Sequence, residues 1–117
     1  MRADRLELYR QIEESRGSKL LVYITSTRQG LETQIANDIL PKVSEHLDKI
    51  GDVEKISLYL YTNGGNTLTA WSLVNLIRSF CKNFEVIIPA NCFSSGTLIC
   101  LGANTLIMTK QAVLGPI

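Results

Sequence analysis

At 117 residues the chain fits one domain built on one hydrophobic core. Its composition is 45% hydrophobic and 20% charged with a net charge of +1, so no basic or acidic excess is present to attract nucleic acid or an anionic membrane surface. Met1–Arg16 is charged and has no apolar centre, which excludes a secretory leader, and the uncharged run Val86–Thr109 is interrupted by Pro89, Asn91, Ser94, Ser95 and Gly96, which excludes a membrane span there.

In chain order, Arg2–Arg16 places Leu6, Tyr9 and Ile12 near helical spacing among charges, with Gly17 positioned to end the helix. Lys19–Thr25 is apolar, β-branched and aromatic, and reads as a strand. Leu31, Ile35, Ile39, Val43, Leu47 and Ile50 recur at three or four residues and predict one amphipathic helix ending at Gly51. Pro41 falls inside that pattern and is expected to kink or divide it.

Ile56–Thr62 predicts a second strand, stopped by Asn63-Gly64-Gly65. Asn66 or Thr67 caps a helix running to about Lys82, with Leu68, Trp71, Val74, Ile77 and Cys81 as its apolar stripe. Glu85–Pro89 reads as a third strand, Asn91–Gly96 as a turn and Thr97–Gly102 as a short helix. Leu106–Thr109 and Val113–Leu114 complete the set as two short strands. Strands alternating with helices argue for an α/β fold with a mainly parallel sheet, and neither an internal repeat nor an interdomain linker is visible.

Charge is distributed unevenly. Nineteen of the 23 charged residues fall in Met1–Lys55, leaving only Arg78, Lys82, Glu85 and Lys110 beyond it. The second half is therefore expected to be buried against the first half or against another chain, which makes a homo-oligomer the expected state. Cys81, Cys92 and Cys100 are odd in number and lie in apolar surroundings without metal-ligand spacing. They read as reduced, buried thiols of a cytoplasmic protein, with neither a metal nor a cofactor implied.

In open α/β sheets ligands bind where a strand ends and a helix begins. Two such junctions stand out. In Thr62-Asn63-Gly64-Gly65-Asn66, paired glycines let a backbone N–H approach a ligand closely. In Asn91-Cys92-Phe93-Ser94-Ser95-Gly96-Thr97, a serine at the turn exposes its hydroxyl while the next N–H faces a developing oxyanion. Taken alone, a GG turn is ordinarily a loop and an SSG ordinarily a helix cap. Their order and spacing say more than either does.

Thr62-Asn63-Gly64-Gly65-Asn66, then Ser94-Ser95-Gly96-Thr97-Leu98-Ile99 with Leu101-Gly102-Ala103-Asn104, then Ala112-Val113-Leu114-Gly115-Pro116-Ile117, together resemble the ClpP/crotonase superfamily. Within it the chain is most similar to the serine dehydrogenase proteinase group, ClpP-class relatives of signal-peptide peptidases. Asn63 stands where that family has proline. The resemblance implies repeated β-β-α units in one domain spanning 1–117, with an N-terminal helix over 1–17 and the C-terminal part of the family domain missing. It implies a serine peptidase acting on a peptide or protein, with Ser94 as nucleophile and the Gly65 and Ser95 N–H groups as oxyanion hole. Ser95 then contributes its amide rather than its hydroxyl.

A base is the missing component. The only histidine, His46, is flanked by Glu45 and Asp48 on the first amphipathic helix and reads as a solvated surface residue. Lys110, the only lysine after Ser94, falls in a turn between strands. The resemblance therefore implies a lysine or histidine beyond residue 117, and any membrane association would reside in regions outside this chain. Two alternatives stay open: a catalytically inactive oligomeric scaffold on the same fold, and a crotonase-like handler of acyl-CoA using the same two amides.

Overall fold

A computed structural model of the chain describes residues 2–25 and 34–116. Its elements are α1 (Arg2–Arg16), β1 (Lys19–Ile24), α2 (Ile39–Ile50), β2 (Val53–Tyr61), α3 (Thr67–Arg78), β3 (Cys81–Ile88), β4 (Asn91–Cys92), α4 (Ser95–Leu101), β5 (Thr105–Met108) and β6 (Val113–Leu114). The apolar strands assemble into a four-stranded sheet in the order β1-β2-β3-β5, and β4 pairs with β6 in a second, two-stranded ladder. Every one of these ladders is parallel, as the α/β alternation requires. The fold is therefore mixed α/β around a mainly parallel sheet.

Register decides which residues form the core. Ile56 lies opposite Phe84 and Leu58 opposite Val86. In a parallel pair such partners point to the same face, so Ile56, Leu58, Leu60, Phe84, Val86 and Ile88 form one fully buried layer. Ala70, Leu73 and Ile77 of α3, Leu47 of α2 and Ile99 of α4 close over that layer. β3 is buried on both faces from Phe84 to Ile88, as expected of an interior parallel strand.

Two helices depart from the sequence expectation. α2 begins at Ile39, so Pro41 lies in its first turn, where its missing N–H has no intrahelical acceptor to lose, and it neither kinks nor divides the helix. Ile35 lies before α2 and forms an isolated parallel bridge with Gly65, while Leu31 falls outside the described residues. On α3 the buried side chains are Thr69, Ala70, Leu73, Val74 and Ile77. Leu68 and Trp71 of the expected stripe remain 75% and 66% exposed. Small and branched side chains pack against the sheet here, and the large ones are left on the outer face. Asn66, not Thr67, caps this helix: its side-chain oxygen accepts the Thr69 N–H at 2.8 Å. The expected burial of the second half holds for β3, whereas Leu101 (70% exposed) leaves part of α4 open with Leu68 and Trp71.

The opposite face of the sheet carries a buried charge that the strand pattern did not announce. Glu85, fully buried, faces Ser57 across the β2–β3 ladder. Its carboxylate accepts from Arg16 Nε at 3.1 Å and Nη2 at 2.6 Å and from Ser57 Oγ at 2.7 Å, and it lies 3.2 Å from Lys55 Nζ. Lys55 also donates to the Arg16 carbonyl at 3.0 Å, and Ser18 and Ser57 hydroxyls are 2.7 Å apart. The end of α1, the start of β1 and the middle of the sheet thus share one polar cluster. α1 itself buries no residue.

Burial raises the Glu85 pKa, but hydrogen bonds from Arg16, Ser57 and Lys55 and the Lys55 charge outweigh it and hold the carboxyl at about 2, below the usual 4.5. The stability this supplies is present above pH 4.5 and is lost as pH falls toward 2. Glu85→Gln is expected to lower unfolding free energy at pH 7 by roughly 2–3 kcal/mol, a value discounted for the partly open Arg16 side of the cluster. Urea titrations at pH 7 and pH 3 check this. The wild-type advantage must shrink at the lower pH, and a gap independent of pH would contradict the assignment.

Candidate active site

The glycine loop after β2 and the serine turn after β4 are 30 residues apart in sequence and meet through backbone pairing. Thr62 N–H donates to the Asn91 carbonyl at 3.1 Å, and Phe93 N–H donates to the Thr62 carbonyl at 3.0 Å. These two bonds form the parallel bridge Thr62–Cys92 that joins the main sheet to β4. The buried Thr62 hydroxyl then organises the glycine loop, accepting from Thr25 Oγ1 at 2.8 Å and from the Gly64 N–H at 3.0 Å.

Both glycines are required where they stand. Gly64 has φ 115° and packs against the serine turn: a Cβ there would come within 2.7 Å of Ser94 Cβ and 3.2 Å of Ser94 Oγ. Gly65 has φ 149°, and a Cβ on it would lie 2.4 Å from both the N and the O of Ile35. The loop is pinned there by Ile35 N–H donating to the Gly64 carbonyl at 2.9 Å and Asn66 N–H donating to the Ile35 carbonyl at 2.8 Å.

Ser94 occupies the residue before α4 with φ 52° and ψ −118°, and it is the one non-glycine residue with positive φ among those described. Such a conformation costs about 1–3 kcal/mol and persists only when the surroundings enforce it. Here the enforcement is visible. The Ser94 N–H donates to the Pro116 carbonyl at 3.2 Å, and the Thr97 hydroxyl is within hydrogen-bond distance of the Gly115 carbonyl at 2.8 Å and the Cys92 carbonyl at 3.1 Å. Gly115 lies against Phe93, where an added Cβ would fall 2.5 Å from the ring. The segment Val113–Pro116 therefore braces the turn from one side and Gly64 braces it from the other.

The three residues expected to act together are brought together. Ser95 is buried and its hydroxyl donates to the Gly65 carbonyl at 2.6 Å, tying the two loops directly. That hydroxyl is committed, which leaves the Ser95 amide as its available group. The Gly65 and Ser95 N–H groups donate to no acceptor among the described residues, whereas the Gly64 N–H is taken by Thr62. Strand–turn–helix geometry around a serine, with uncommitted amides from two loops, suits nucleophilic attack on a carbonyl and stabilisation of the resulting oxyanion.

Neither sequence candidate for the base joins this cluster. His46 lies on α2 and lines an apolar groove with Tyr9, Leu21, Tyr23 and Val43 at the β1 edge. Lys110 is exposed in the turn between β5 and β6. The sequence motifs contain Thr62, Gly64, Thr97 and Gly115 but give none of them an individual role in the site. A threonine at the end of an apolar strand, one residue ahead of the glycine pair, was the available signal for Thr62. No group of histidine, cysteine or acidic side chains able to hold a metal occurs among the described residues. No helix among them is long and apolar enough to cross a membrane.

Comparison with known proteins agrees with this architecture. The family model for ClpP-like SDH-type serine proteinases matches residues 1–117. Two uncharacterized proteins of Methanocaldococcus jannaschii are similar in sequence. One is 31% identical over 121 residues, covering 97% of this chain and 41% of that protein; the other is 39% identical over 62 residues, covering 53% and 22%. The chain thus spans less than half the length of these curated relatives. Among solved structures, a ClpP1 variant from Listeria monocytogenes superposes with a TM-score of 0.57 at 16% identity, covering 88% of this chain and 61% of that one. The ClpP protease catalytic domain from Plasmodium falciparum does so with a TM-score of 0.59 at 11% identity, covering 87% and 57%. The chain belongs to the ClpP-like SDH-type serine proteinase family.

Substitutions at the loop contact separate the role of an amide from that of a hydroxyl. Ser95→Ala removes one buried hydrogen bond and is expected to cost about 1–2 kcal/mol in unfolding free energy while keeping its amide in place. Gly65→Ala must move the Ile35 backbone and is expected to cost roughly 2–4 kcal/mol. Thermal unfolding of the two variants beside wild type gives the order. A Gly65→Ala protein as stable as wild type would contradict the close approach to Ile35.

Proposed function

We propose that this chain carries the nucleophile half of a serine peptidase active site. Ser94 Oγ attacks the carbonyl carbon of a peptide bond, and its proton passes to a base outside this chain. The carbonyl oxygen becomes a tetrahedral oxyanion held by the Gly65 and Ser95 N–H groups. Collapse breaks the C–N bond, the leaving amine takes the proton, and a water molecule then hydrolyses the acyl-Ser94 ester. The observation that carries this reading is the positive-φ conformation of Ser94, enforced from two sides with uncommitted amides beside it. An oxyanion-hole donor of this kind typically lowers the barrier by about 3 kcal/mol.

Family membership and the ClpP fold support the same reaction class. No second side chain in the described part of the site has proton-accepting chemistry, so the base is assigned to the remainder of a longer protein. The three cysteines are free, in keeping with a reducing cytoplasmic setting.

A second reading, a non-catalytic oligomeric scaffold, is favoured by a different observation. Leu68, Trp71 and Leu101 are each at least 66% exposed and line one apolar groove between α3 and α4 with Val74 and Leu98. Exposed apolar surface of that kind marks assembly. The two readings share a homo-oligomer and differ in chemistry.

Fluorophosphonate labelling of the full-length protein separates them. Wild type is expected to take the label on Ser94 and Ser94→Ala to take none. Equal labelling of both, or no labelling of a folded wild type, would remove the peptidase reading. A monomer by light scattering would remove the scaffold.

A further inference from the structure

Two of the three cysteines enclose the serine turn. Cys92 ends β4 two residues before Ser94, and Cys100 lies in α4 six residues after it. Both are buried, and their sulfurs are 3.5 Å apart. Cys81, by contrast, is half-buried, and its thiol lies 3.5 Å from the Ile77 carbonyl. Gly96 leaves room for the Cys92 sulfur: a Cβ there would stand 2.9 Å from Sγ and 2.6 Å from Thr62 Cγ2.

We propose that Cys92 and Cys100 are a redox modification site, closing to a disulfide that displaces the turn holding Ser94. The consequence for Ser94 rests on the peptidase reading above; the disulfide itself does not.

The geometry makes closure a short movement. A disulfide brings its sulfurs to about 2.05 Å, so the pair must approach by about 1.4 Å. The movement draws α4 toward β4, and the chain between them carries Phe93, Ser94, Ser95 and Gly96. Ser94 is already held in a sparsely populated conformation, and Ser95 Oγ is bonded to the glycine loop at 2.6 Å. A misplacement of about 1 Å at a reacting group commonly costs about 100-fold in rate.

The chemistry is that of a dithiol meeting a peroxide. The Cys100 thiol hydrogen-bonds Cys92 and lowers its pKa, which makes Cys92 the attacking sulfur, while the same contact and burial raise Cys100. The Cys92 thiolate attacks one oxygen of hydrogen peroxide, the O–O bond breaks, and water leaves after protonation, giving Cys92 sulfenic acid. Cys100 sulfur then attacks the Cys92 sulfur, the S–O bond breaks, and a second water leaves. Two thiols and one peroxide give one disulfide and two waters. Peroxide is small enough to reach the pair through local opening of α4, a helix of seven residues. In a reducing compartment such bonds are transient and sensing rather than structural.

The test uses the full-length protein in a Cys81→Ser background, treated with hydrogen peroxide. The expected result is a mass loss of about 2 Da with the Cys92 and Cys100 peptides linked. Fluorophosphonate labelling of Ser94 is expected to slow at least about tenfold and to recover with dithiothreitol. A Cys100→Ser variant should show neither the mass loss nor the slowing. Oxygen addition without crosslinking, no reaction at peroxide levels that oxidise Cys81 in the parent, or crosslinking with unchanged labelling would each overturn the proposal. If the reduced protein is never labelled, the peptidase reading has failed separately. Hydrogen exchange at residues 93–99 then reads the displacement, which must differ between reduced and oxidised protein.

Discussion

The candidate site depends on two backbone hydrogen bonds at Thr62, one given to Asn91 and one accepted from Phe93. They are the join between a four-stranded sheet that makes the core and a two-stranded ladder that makes the serine turn. Without the join, Gly64 would have no Ser94 to pack against and Ser95 no Gly65 carbonyl to reach. The threonine side chain adds a third link, since its buried hydroxyl accepts the Gly64 N–H, while the Gly65 N–H donates to no acceptor among the described residues. A parallel join suits this purpose because it delivers two strand ends, and hence two loop starts, to the same edge. Membership of the ClpP-like SDH-type serine proteinase family agrees with this arrangement, while peptidase activity and the assignment of Ser94 are the proposals made above.

Much of this was legible in the sequence for physical reasons that can be named. β2 and β3 are dense in β-branched and aromatic residues and end in unmistakable turn chemistry, so their existence followed from local propensity. The glycine pair and the serine turn were legible through their order and spacing, since either one alone reads as an ordinary loop or helix cap. α2 was misjudged at its start because Ile35 continues a helical spacing by coincidence and is instead claimed by a long-range bridge to Gly65. α3 was misjudged in its facing because it is apolar on two sides, and periodicity alone cannot say which side meets the sheet. The short β4 was hidden inside what reads as a turn, since a two-residue strand leaves no periodic trace.

Glu85 was the largest omission. Glu85 stands between Phe84 and Val86 in a strand that also carries Lys82 and Asn83, and its partners come from residues 16, 55 and 57, so no local pattern announces a buried, satisfied charge. Cys92 and Cys100 present the same difficulty. Their spacing of eight looks unremarkable until a strand-to-helix turn folds one sulfur onto the other.

The attachment of α1 has a consequence for how the molecule opens. A helix with no buried side chain has little apolar area to lose on detaching, and its surface ion pairs, Arg10 with Glu7 and with Glu14, lie wholly within the helix. Its tethers to the sheet run through Arg16 to Glu85, through Lys55 to the Arg16 carbonyl, and through Glu13 to the Leu20 amide. α1 is thus a separate cooperative unit at the low-stability end of the fold. Its amides are expected to exchange through local openings in which β2, β3 and the serine turn stay closed.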